Sequence, residues 1–96
     1  MSFEKEYASL GQIARAGNNM KLALDYYRLS YKEDPTNVVN YYQFCVLADQ
    51  FYKDPKTKLK YYENLIKMYG TKQRYFSEFA IKRISELKEE IHFSKQ

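Results

Sequence analysis

One spacing recurs three times in this chain of 96 residues. An aromatic residue is followed three places on by a large apolar residue, and directly after that by a small one. The copies are Tyr7, Leu10 and Gly11; Tyr41, Phe44 and Cys45; and Phe76, Phe79 and Ala80. The first two copies are 34 residues apart and the last two 35. A three-residue step returns to the same face of a helix, whereas in a strand it changes face. A small residue beside two large ones lets a neighbouring helix approach closely while the large side chains fill the space on either side. A second match follows the same period: Leu24, Tyr26 and Tyr27 recur as Leu59, Tyr61 and Tyr62. The chain therefore has to fold as helices packed in series, with the packing rule renewed every 34 or 35 residues.

The breakers agree. Two prolines and three glycines leave long uninterrupted segments. Apolar residues at 3, 7, 10, 13 and 14 predict a first helix that Gly17-Asn18-Asn19 ends. Met20, Leu24, Tyr27 and Tyr31 mark a second, ended by Asp34-Pro35 because proline donates no backbone hydrogen bond and pushes its predecessor out of the helical region. Thr36 or Asn37 then caps a third, running to about Tyr52. Asp54 as N-cap with Pro55 in the first helical place opens a fourth. Gly70 closes it, and Thr71 is expected to cap a fifth that reaches about Phe93. Five helices and no strand make an all-α fold.

A helix–turn–helix unit with this period and pattern resembles the tetratricopeptide repeat. Tyr7, Leu10, Gly11, Ala23, Tyr27 and Pro35 stand at the family's spacing, with Ala14 and Ser30 as departures. In the second unit Tyr41, Phe44, Cys45 and Tyr62 fit, while Lys58 stands where a small residue is usual and Gly70 replaces the proline. The resemblance implies one domain: repeat one at 4–36, repeat two at 37–70 and a capping helix at 71–93. Two and a half such units would form a fragment of a right-handed α-solenoid, with the fifth helix covering the open face of the fourth.

Catalytic chemistry finds no foothold. The chain has one histidine, His92, and one cysteine, Cys45, and Cys45 holds the small-residue place between helices. One of each does not make a zinc site. No glycine-rich phosphate loop and no calcium-loop run of acidic residues is present. Glu4, Glu6, Glu89 and Glu90 read as terminal charges. The expectation is a non-enzyme without cofactor or metal. The opening residues MSFEKEYASL show no basic region followed by an apolar stretch, and the longest apolar run is FCVLA, so neither a secretory leader nor a membrane span is expected and a cytoplasmic location is.

A binding surface is what remains. In the family the first helix of each unit lines a concave groove for a partner segment. By place, that implies Gln12 and Arg15 from the first helix, Val39, Tyr42, Val46 and Asp49 from the third, and Ser77, Ile81 and Ile84 from the fifth. Ala8, Gln12 and Gln43 stand where carboxylate-clamping members carry charged or asparagine side chains, so a terminal-carboxylate clamp is not expected. The partner is then another protein or peptide segment, and the chain an adaptor, chaperone or assembly subunit binding in the groove or at the open edge near the fifth helix. The stripe Phe76, Ala80, Ile84, Leu87 and Ile91 adds a homodimer reading in which Leu87 and Ile91 overhang the fourth helix and pair with a second copy. Packing of those two residues against the fourth helix is the alternative.

Charge supports a competing class. The net charge is +4, and residues 53–96 hold eleven basic against six acidic side chains. Lys56, Lys58, Lys60 and Lys67, interleaved with tyrosines, are a candidate patch for nucleic acid.

Overall fold

The computed structural model describes residues 2–95. Among them are five α-helices and no strand: α1 (Glu4–Ala16), α2 (Met20–Glu33), α3 (Val38–Phe51), α4 (Pro55–Tyr69) and α5 (Arg74–Ser94). None is long and apolar enough to cross a membrane. Consecutive helices pack on one another: α1 on α2, α2 on α3, and α4 on α5. The chain forms two compact units, Met1–Phe51 with the first three helices and Tyr52–Gln96 with the last two.

The punctuation residues act as their chemistry dictates. Asn18 takes a left-handed turn at φ 64°, a conformation asparagine tolerates better than most. Asn19 then caps α2, its side chain accepting from the Leu22 N–H at 3.2 Å. Asp34 folds over the next turn, accepting from both the backbone N–H and the hydroxyl of Thr36. The Thr36 hydroxyl holds the Asp34 carboxyl below its ordinary range. With Thr36 so engaged, Asn37 is the cap of α3, accepting from Val39 N–H at 3.0 Å. Asp54 caps α4 through Lys56 N–H at 3.1 Å, with Pro55 first in the helix.

Thr71 does not cap α5. Gly70 ends α4 at φ 67°, which reverses the chain, and residues 70–73 complete a turn before the helix begins at Arg74. Gln73 is its N-cap and makes no side-chain capping bond.

In the first unit the small-residue rule has a direct physical expression. Gly11 is buried, and a Cβ placed on it would lie 3.1 Å from the Tyr27 ring. Tyr27 is itself buried, and burial raises its phenol's pKa, with Arg15 opposing in part. Ala23, Leu24, Phe44, Cys45, Leu47 and Ala48 are wholly buried. Each large aliphatic side chain sequestered in this way stabilises by about 1.5–3 kcal/mol. Tyr31 meets the rings of Tyr41 at 4.9 Å and Phe44 at 5.2 Å, edge-on or tilted. The Arg28 guanidinium lies over the Phe44 ring at 5.2 Å, within cation–π range. Leu10, by contrast, remains 41% exposed, so it does not fill the space between helices as its spacing suggests.

Glu4 is not the idle terminal charge expected of it. Its carboxylate accepts from the side-chain amides of Asn37 and Asn40, and its backbone carbonyl accepts from the Ser30 hydroxyl at 2.8 Å. Ser30 and Asn40 are buried. The first residue of α1 thus ties the end of α2 to the start of α3.

In the second unit Tyr62, Leu65, Ala80 and Leu87 are buried, and Tyr62 packs against Phe79 at 6.1 Å. Surface ion pairs along α5 include Arg74–Glu78 at 3.3 Å and Arg83–Glu86 at 3.1 Å.

Two stability outcomes follow. Gly11→Leu should cost about 1–3 kcal/mol by overpacking against Tyr27, read as a lower midpoint in urea. Gly17→Ala should cost nothing comparable, since its Cβ would meet only carbonyl oxygens at 3.6 Å. Glu4→Ala should cost about 1–3 kcal/mol because it strips a buried amide of its partner. The same urea titration measures it, with Glu6→Ala as the neutral control.

Candidate docking surface on α4 and α5

The candidate residues for a concave groove fall into both units and differ in accessibility. In the first unit Gln12 and Val39 are exposed, while Arg15, Tyr42, Val46 and Asp49 are half-buried. In the second unit Ser77 is only 3% exposed, and its hydroxyl donates to the Arg74 carbonyl at 3.3 Å. Ser77 is therefore a packing residue and does not line a surface. It is a small side chain one turn before Ala80, on the closely packed side of α5. Ile81 is 51% exposed and Ile84 half-buried.

Those two isoleucines open onto a groove that the second unit forms by itself. Ile66, Ile81 and Ile84 supply its apolar part; Glu63 and Lys67 on α4 and Lys88 on α5 supply its charges. It is open to solvent, with room of about 360 Å³. Helical spacing explains the set. On α4, Glu63, Ile66 and Lys67 are three and four residues apart, hence neighbours on one face. On α5, Ile81, Ile84 and Lys88 are related in the same way. Buried residues stand directly beside the groove: Tyr62 lies one turn before Ile66 on α4, and Ala80 and Leu87 lie one turn to either side of Ile84 on α5.

The lysine patch resolves into a stripe and an outlier. Lys56, Lys60 and Lys67 follow helical spacing along one exposed face of α4, continuous with Glu63. Lys58 lies around the helix from them and is half-buried. Of the interleaved tyrosines, Tyr62 is fully buried, and Tyr61 and Tyr69 are half-buried, Tyr61 against Tyr52 at 6.1 Å. The stripe thus borders the groove and brings Lys67 into the same site as Ile81 and Ile84.

The self-association residues part company. Leu87 is wholly buried within the chain and has no surface to give a second copy, while Ile91 is half-buried. Within the apolar stripe of α5, Ala80 and Leu87 are buried, and Phe76, Ile84 and Ile91 are half-buried.

Reactive groups are dispersed. His92 is exposed and stands beside the Phe93 ring at 5.6 Å. Cys45 is wholly buried, and burial, with the Asp49 carboxylate adding to it, pushes its thiol far above the ordinary value. Such a thiol is inert toward nucleophilic chemistry. Among the described residues, no three His, Cys, Asp or Glu side chains come together as a cation would need.

Comparison with protein-family models, with curated proteins and with solved structures finds no match.

Proposed function

We propose that this chain is a non-catalytic protein-interaction module, an adaptor or assembly subunit of the cytoplasm built in the manner of a tetratricopeptide array, and that it receives its partner on the α4–α5 groove. One observation carries the reading: three isoleucines of two adjacent helices line an open groove, and the most exposed of them, Ile81, keeps half of its surface in water. An apolar strip with charged borders is the usual form of a helix- or peptide-binding surface. The family resemblance supports the same class of function, though it points to the concave face, whereas the accessible apolar residues favour the edge that α4 and α5 make.

Nucleic-acid binding is the competing reading, favoured by the exposed Lys56, Lys60 and Lys67. The tyrosines beside those lysines are buried or half-buried, so its support is chiefly salt-sensitive phosphate contacts.

Affinity capture from the native lysate, with and without nuclease, separates the two. The expected result is a protein recovered in near-equimolar amount, resistant to nuclease, and reduced at least tenfold by Ile81→Asp while the far-ultraviolet helical signal is kept. Recovery that depends on intact nucleic acid, or that Lys56→Glu/Lys60→Glu abolishes while Ile81→Asp leaves it whole, would overturn the proposal.

A further inference from the structure

The geometry points to the chemistry of the partner: an amphipathic helix with an apolar stripe and acidic flanks, laid along the α4–α5 groove. This rests on the groove being the docking surface, and it follows from three properties of that surface.

The first is shape. The groove follows two helices, and its α5 wall runs from Ile81 to Lys88, seven residues or about 10 Å. That is two turns of a docked helix, enough for apolar anchors at three- or four-residue intervals. An extended peptide is held either by pairing its backbone with a strand edge or as a polyproline helix in an aromatic-lined groove. No strand exists among the described residues, and this groove is lined by isoleucines and charged side chains. A helix satisfies its own backbone and asks only for side-chain packing, which Ile66, Ile81 and Ile84 provide.

The second is charge. Lys67 and Lys88 flank the isoleucines against the single acid Glu63, and Lys60 and Lys56 extend the cationic border along α4. None of these four lysines is held in an ion pair. The nearer acids of α5 are occupied or turned away. Glu78 pairs with Arg74 and Glu86 with Arg83. Glu89 and Glu90 follow Lys88 by one and two places, which rotates them about 100° and 200° around the helix from it.

The third is the division of labour between these features. Apolar burial supplies affinity, while rim lysines select the partner's charge and speed its approach. A helix with basic flanks would meet Lys67 and Lys88 as like charges, so the surface discriminates by repulsion as well as attraction.

The test is a display selection of helix-forming peptides of random sequence on the full chain, with Ile81→Asp as the counter-selection target. Enriched peptides should carry apolar residues at three- and four-residue spacing flanked by Asp and Glu, and replacing those acids with glutamine should weaken binding about tenfold or more. Against Lys67→Glu/Lys88→Glu the preference should invert toward basic flanks. Ile81 is exposed and the lysines lie at the surface, so the helical signal of each variant should match the parent. Enriched peptides that depend on Ile81 but show no acidic bias would overturn the inference while leaving the docking surface standing. Selection of nothing that depends on Ile81 would overturn both, as would a single-stranded oligonucleotide displacing every selected peptide. Association of the chain with itself, lost in Ile81→Asp, would make a second copy the occupant and overturn the inference too.

Discussion

The close approach of α1 to α2 at Gly11 is the constraint on which the first unit depends. The Tyr27 ring stands so near the glycine Cα that a methyl group there would already press on it. Everything packed behind that contact, including Ala23 and Leu24, is in place because the helices come so close. The same logic explains why Cys45 and Ala80, at the equivalent places of the next two copies, are wholly buried. A small side chain at each crossing sets the helix spacing, and the aromatic residues then fill the volume that remains.

Helix boundaries were legible because their determinants are local. Asp54 and Pro55 act on the turn they open, and the sequence displays them directly. Asn19, expected only as part of the breaker that ends α1, also caps α2 through a residue three places away. The role of Glu4 was not legible. Its partners Ser30, Asn37 and Asn40 are 26, 33 and 36 positions distant, and nothing in the local pattern marks a carboxylate as the clasp among three helices. Thr71 misled because it is a good capping residue placed two residues too early, inside the reversal that Gly70 begins. Ser77 and Leu87 misled for a related reason. The place of Ser77 in the family's repeat suggests a groove, and a helix longer than its neighbour suggests an overhang at Leu87, but burial depends on how closely the chain packs around each position.

The candidate site was half legible. Ile81, Ile84 and Lys67 could each be picked out, but as members of two unrelated surfaces. Their meeting with Ile66, Glu63 and Lys88 depends on the register of α4 against α5, which the turn at residues 70–73 sets and which no helical period reveals. Once that register is fixed, the apolar residues and the cations are one surface. The basic surplus of the second half of the chain then has a local role: it borders an apolar groove on two adjacent helices.

The most direct measurement is site-specific photo-crosslinking of the full chain in its native cell, with a benzoylphenylalanine at position 81, 66, 12 or 39 in turn. The account predicts one protein adduct from positions 81 and 66 and none from positions 12 and 39. Adducts confined to 12 and 39, or adducts to nucleic acid, would contradict it.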